Sequence, residues 1–173
     1  MRLFIGIRAG CTDYLTALQD ELRRLGRGRF THADNLHITL RFLGELPPAS
    51  VSGLCDAITE AGGEAFTLEC GAAHMFNKSG IVSARVAGET DKLAALADRT
   101  EAVLEKRGYM RETRGFRPHI TLARDYQPHG DISRIPEGRH VFTADEVVLF
   151  ESRRENGRLV YAPLFAHRLQ QPE

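Results

Sequence analysis

The sequence predicts an α+β fold built from two related halves, and three observations carry that expectation. The tetrapeptide His37-Ile38-Thr39-Leu40 returns unchanged as His119-Ile120-Thr121-Leu122, close to half the chain away. Segments of strand character outnumber those of helical character. Neighbouring strand segments can also pair antiparallel. With 7 His in 173 residues, the number of such strings expected by chance is on the order of a few thousandths, so the repeat is not noise. A duplication of this kind makes two lobes of one unit rather than two independent domains. The expected organisation is one domain over residues 1–173, long enough to bury a sizeable core.

The elements follow in chain order. Arg2 to Arg8 places Leu3, Ile5 and Ile7 on one side of a first strand. Thr12 can cap a helix whose Leu15, Leu18, Leu22 and Leu25 form an apolar stripe, and Gly26 stops it. Arg23, Arg24, Arg27 and Arg29 crowd its end, where a solvated surface favoured by the helix dipole outweighs a ligand-facing rim. The first motif strand spans Asn35 to Leu43. A helix over Ser50–Ala61 follows, with Val51, Leu54, Cys55 and Ile58 at helical spacing. Phe66–Phe76 and Ile81–Ala87 read as strands joined by a turn at Asn77-Lys78-Ser79-Gly80. Thr90 or Asp91 opens a helix with Leu93, Leu96, Val103 and Leu104 facing inward, ending before Gly108. The second motif strand begins near Phe116, and Pro118 suits its start. Gln127 to Gly138 reads as loop. Phe142–Ser152 and Arg158–Leu169 are strands around Asn156-Gly157, a strong hairpin signal.

Composition excludes more than it assigns. Hydrophobic residues at 42% and charged residues at 27% are ordinary for a globular chain. Lys+Arg and Asp+Glu balance at 23 each, so any contact with nucleic acid is local rather than driven by bulk charge. No apolar run approaches a membrane span, and the N-terminus is too short and polar for a signal peptide, so a cytoplasmic protein with no membrane contact is expected. Cys11, Cys55 and Cys70 are odd in number and lack CxxC spacing, which reads as free thiols.

The repeated phrase carries the chemistry. On a strand, His and Thr at i and i+2 share a face, while Ile and Leu point into the core. Two such strands around one cleft supply two imidazoles, one able to take a proton while the other gives one, and two hydroxyls that donate to anionic oxygens. With no carboxylate in either phrase, the set suits attack at phosphorus without a metal. The longer phrases Asn35-Leu36-His37-Ile38-Thr39-Leu40-Arg41-Phe42-Leu43-Gly44-Glu45 and Arg117-Pro118-His119-Ile120-Thr121-Leu122-Ala123-Arg124-Asp125 resemble the two-histidine (2H) phosphoesterase superfamily. Within it they look like the RNA 2′,3′-cyclic phosphodiesterase branch, also called the bacterial 2′-5′ RNA ligase family. The resemblance runs from Arg2-Leu3-Phe4 to Tyr161-Ala162-Pro163-Leu164.

The resemblance implies two pseudo-symmetric lobes, each a small, mainly antiparallel sheet backed by helices, with the active-site cleft between them. It implies hydrolysis of terminal 2′,3′-cyclic phosphates on RNA, including tRNA fragments, to 2′-phosphates, with reverse 2′-5′ ligation as a further capability. It casts His37 as proton donor and His119 as proton acceptor. Thr39 and Thr121 become phosphate-oxygen donors, Arg124 a phosphate contact and Phe42 a base-stacking surface. Odd spacing from the histidines puts Arg124 and Phe42 on the wrong strand face unless each strand ends or bulges there. By parity Arg41 shares the His37 face. The absence of Trp leaves base stacking to Phe30, Phe42, Phe76 or Phe116. The remaining histidines, His32, His74, His129, His140 and His167, show no ligand spacing and read as surface or satisfied groups. No metal and no cofactor are expected, and the default assembly is a monomer. The alternatives are the same site with another substrate (2′-5′ oligoadenylate, a cyclic nucleotide or ADP-ribose 1″,2″-cyclic phosphate), a non-catalytic RNA-end binding module, or a His-based metal protein.

Overall fold

The computed structural model describes residues 1–76 and 79–173. Among the described residues nine strands and three α-helices follow one another as β1 (Arg2–Arg8), α1 (Thr12–Leu25), β2 (Gly26–Phe30), β3 (His37–Glu45), α2 (Ser50–Ala61), β4 (Phe66–Phe76), β5 (Ile81–Gly88), α3 (Thr90–Lys106), β6 (His119–Pro128), β7 (His140–Ala144), β8 (Glu146–Glu155) and β9 (Arg158–Arg168). The strands form one sheet in the order β7-β4-β5-β6-β3-β1-β8-β9, with β2 also paired to β6. Every pairing between these strands is antiparallel. The two motif strands β3 and β6 are central neighbours, yet they share a single register pair, Ile38 opposite Ile120. Beyond that point β2 takes the place of β3 along β6, with Phe30 opposite Ala123 and Gly26 opposite Pro128. The sheet therefore has a narrow seam at its middle, and the motif strands diverge from it.

Helices cover one face. α2 and α3 pack on each other, α2 against β8 and β9 and α3 against β3 and β4. α1 lies against β2 and β6. The apolar stripes do what their spacing predicts: Leu15, Leu18 and Leu22 of α1, Leu54 and Ile58 of α2, and Leu93, Leu96 and Leu104 of α3 are buried. They meet Ile5, Ile7, Ile38, Leu40, Ile120 and Leu122 in one cluster. A second, smaller cluster of Phe4, Val148 and Phe150, with Tyr161 against it, stands apart from the first.

Several boundaries differ from expectation for identifiable reasons. Cys11 holds the N-cap position of α1 and no side chain caps the helix; Thr12 is its first residue, its hydroxyl donating to the Ala9 carbonyl at 3.4 Å. The arginine-rich Gly26–Phe30 is not a frayed helix end but a strand, because β6 runs past β3 and offers it a free edge. The second motif strand starts at His119 rather than near Phe116. The stretch Phe142–Ser152 splits at Asp145: β7 pairs with β4, whereas β8 pairs with β1 on the far side of the sheet. At Asn156-Gly157 both residues have positive φ, 50° and 79°, as the hairpin signal requires. Of the expected turn at 77–80, Asn77 and Lys78 lie outside the described residues. Cys11 and Cys70 are joined by a disulfide, not free. Their separation of 59 residues hides from the sequence that the start of α1 meets β4. Cys55 remains a free thiol.

Candidate active site

His37 and His119 are the first residues of β3 and β6, and both are anchored in the same way. The Nδ1–H of His37 donates to the Asn35 carbonyl at 2.6 Å, and that of His119 to the Arg117 carbonyl at 2.8 Å. A carbonyl only accepts, so each ring carries its proton on Nδ1, leaving Nε2 as the working nitrogen. The His37 Nε2 accepts from the Thr39 hydroxyl at 3.0 Å. The anchor of His37 is itself fixed. Buried Asn35 donates through Nδ2 to the Leu159 carbonyl at 2.9 Å and accepts at Oδ1 from the Tyr161 N–H at 3.1 Å, which ties the entry of β3 to β9.

Aromatic rings enclose His37. Phe4 and Tyr161 lie 4.8 Å and 5.0 Å from it, ring centre to ring centre, and Phe150 stacks beneath Phe4 at 4.9 Å. Burial pushes the His37 imidazole down to about 4, against the pull of the Asn35 hydrogen bond and helped by the nearby charges of His119 and Arg124. His119 is more open, with Phe76 edge-on at 5.3 Å.

All six residues singled out from the sequence, His37, Thr39, Phe42, His119, Thr121 and Arg124, line one cleft of about 750 Å³. The parity conflict at Phe42 and Arg124 is resolved by paired bulges. Along β1, Ile5 faces Arg41 while Gly6 faces Thr39, so Leu40 is an extra residue in β3. Along β5, Val82 faces Ala123 while Ser83 faces Thr121, so Leu122 is the extra residue in β6. An extra residue reverses the alternation, and the fifth residue after each histidine returns to the cleft face. The same bulge corrects the placement of Arg41. It turns away from His37 to a largely buried ion pair with Glu101 of α3 at 3.0 Å, and it also donates to the Met110 carbonyl. Phe42 is 61% exposed and offers a bare ring to the cleft.

The cleft also holds residues to which sequence reasoning gave no role. Arg2, Arg114, Arg154, Phe4, Ser152 and Tyr161 line it, from segments spread over the whole chain. Nothing local marks them; only the pairing of β1 with β8 and of β8 with β9 gathers most of them. Among the described residues no Asp or Glu lines the cleft. No group of three His, Cys, Asp or Glu there could hold a metal ion. Of the other histidines, His32 pairs with Asp34, His129 bonds the Arg24 carbonyl and His140 stacks on Tyr14. His74 departs from expectation, since its Nδ1 is buried without a hydrogen-bond partner.

Two imidazoles presenting Nε2, two hydroxyls and several arginines around a carboxylate-free hollow can together bind a phosphate ester and move protons on it. The family described as LigT like Phosphoesterase matches residues 5–82 and 85–161, and the chain belongs to that family. It is 33% identical over 140 residues to the RNA 2′,3′-cyclic phosphodiesterase of Escherichia coli K12, covering 79% of this chain and 77% of that one. The namesake from Geobacillus stearothermophilus is 28% identical over 135 residues, and the match spans only 43% of its length. The crystal structure of E. coli LigT complexed with 3′-AMP superposes with a TM-score of 0.82 at 28% identity, covering 98% of both chains. No helix among the described residues is long and apolar enough to cross a membrane.

Proposed function

We propose that the chain is an RNA 2′,3′-cyclic phosphodiesterase that opens terminal cyclic phosphates to 2′-phosphates by two-histidine acid–base catalysis. The observation that carries this is the matched pair of Nδ1-anchored histidines facing one carboxylate-free, arginine-lined cleft. The names of the relatives support the substrate. In the reaction, one imidazole Nε2 takes a proton from water as the water oxygen bonds to phosphorus. The P–O3′ bond breaks, and the other imidazole returns a proton to O3′. Thr39, Thr121 and Arg124 hold the non-bridging oxygens, and Phe42 stacks on the terminal base. With both motifs in one chain, a monomer completes the site, and the proposed setting is the cytoplasm. Reverse 2′-5′ joining uses the same groups in the opposite order.

The assignment of roles carried by the family resemblance makes a demand on charge. With His37 as donor and His119 as acceptor, His37 must be protonated when the substrate is bound. In the empty cleft it is neutral at pH 7, because its value is pushed down to about 4. A bound phosphodiester brings the negative charge that reverses this, so the substrate recruits the acid's own proton. The low value in the empty cleft equally favours a second reading, with His37 as base.

The test is hydrolysis of an oligoribonucleotide with a terminal 2′,3′-cyclic phosphate, in EDTA, by wild type, His37→Ala and His119→Ala. Each substitution is expected to cut turnover by roughly 10²–10⁴-fold, and the wild-type product to be the 2′-phosphate. Full activity in either variant ends the proposal. An aryl phosphodiester, whose leaving group needs no proton, separates the roles: the acid's variant recovers on it and the base's variant does not.

A further inference from the structure

A second groove of about 570 Å³ opens from the catalytic cleft, sharing Arg124, Arg154, Leu159 and Tyr161 with it. It runs between the end of α1 with β2 on one side and the β8–β9 hairpin on the other, adding Arg23, Arg29 and Arg158 to the shared arginines. Among the described residues no Asp or Glu lines it. Asp20, Asp125 and Asp34 pair with Arg23, Arg29 and Arg158 from outside the lining. All but Lys78, Lys92 and Lys106 of the 23 cationic residues are arginines, so five in one groove of a chain with net charge zero is a local concentration. Two rings are present as well: Phe30, with the Arg23 guanidinium 4.3 Å above it, and Tyr161. Arginine forks beside aromatic faces are the means by which proteins track single-stranded nucleic acid without reading its sequence.

The other extension of the cleft is different. It is edged by Phe42, Phe76 and Phe116, and its Arg41, Arg111, Arg114 and Arg117 are offset by Asp98, Glu101 and Glu112 in the same lining, so it concentrates less positive charge than the arginine groove. Resting on the phosphodiesterase reading above, we propose that the arginine groove binds the phosphates of the RNA strand 5′ to the terminal nucleotide, so that the enzyme is specific for oligonucleotide ends over mononucleotides. The arginine cluster at the end of α1 is then a substrate surface and not only a solvated rim.

The experiment compares a nucleoside 2′,3′-cyclic monophosphate with a tetranucleotide ending in the same cyclic nucleotide, for wild type and Arg23→Gln/Arg158→Gln. Neither arginine lines the catalytic cleft, so mononucleotide turnover reports on folding and chemistry. In wild type the tetranucleotide should show a KM about tenfold lower than the mononucleotide, as expected for a few exposed ion pairs. That KM should rise with salt with a log–log slope of about 2, or roughly 0.7 for each of three arginine–phosphate contacts. The double variant should lose the length advantage and about two thirds of the slope while keeping kcat. Equal KM values in wild type, or a length advantage that survives in the variant, overturns the proposal. Failure to hydrolyse either substrate is the failure of the phosphodiesterase reading instead. In that case, anisotropy of a 5′-labelled tetranucleotide with a 2′-phosphate end decides the groove: binding weakened in the variant upholds it, and binding unchanged or absent in both overturns it.

Discussion

At the scale of single residues, the aim of the two cleft histidines depends on what holds Nδ1. For His37 that is the carbonyl of Asn35, whose side chain makes two hydrogen bonds to β9. Asn35→Ala leaves the half-buried Tyr161 N–H and the Leu159 carbonyl without their partner, which should cost about 1 kcal/mol of stability. Because the imidazole then loses its fixed aim, kcat should fall further than KM rises. Chemical denaturation and steady-state kinetics on the purified variant check both. The lowered affinity of His37 for protons has its own consequence. Its folded value of about 4 lies below the ordinary 6.5, so the unfolded chain binds the proton first as pH falls between them. Its contribution to stability is full above 6.5 and is lost on the way down to 4, by at most about 3 kcal/mol. Melting curves for wild type and His37→Gln between pH 7.5 and 4 should converge on acidification; parallel curves would refute it.

Strands and their irregularities set the next scale. β1 approaches β3 so closely at the bulge that a Cβ on Gly6 would lie 2.7 Å from the Ile38 carbonyl oxygen and 3.5 Å from the His37 ring. Gly6→Ala must push β3 aside, at a cost of about 1–3 kcal/mol. It should lower kcat through a displaced His37, and a variant with unchanged stability and rate would show that the approach does not matter. The bulges also explain where sequence reading succeeded and where it could not. His37, His119, Thr39 and Thr121 were legible because a strand's alternation is local and the phrase occurs twice. Phe42 and Arg124 came only from resemblance, since alternation alone puts them on the far face. Arg41 was misplaced for the same reason, as no feature within β3 announces that Leu40 is surplus. β2 was missed because its residues, Gly26-Arg27-Gly28-Arg29-Phe30, carry no strand pattern and pair only because β6 presents an edge.

Over the whole molecule, polar links as well as the core tie distant segments together. Arg41 and Glu101, 10% and 14% exposed, join β3 to α3, and the same carboxylate accepts the Glu112 N–H in the segment leading to β6. Glu101→Ala leaves the Arg41 charge buried without its partner and should cost about 3–5 kcal/mol, read from urea midpoints. The double change Arg41→Met/Glu101→Leu should recover much of that loss. A larger consequence follows from the rings around His37. Phe150 and Tyr161 belong to β8 and β9, and β8 is the strand that completes β1. On a ribosome, the first motif is therefore made well before β8 and waits for it with one flank of β1 unpaired, a sticky edge in a crowded cell. Chronology, then, is written into the sheet: the second histidine is already out of the exit tunnel before the first has walls around it, and the enzyme comes into being at its last two strands.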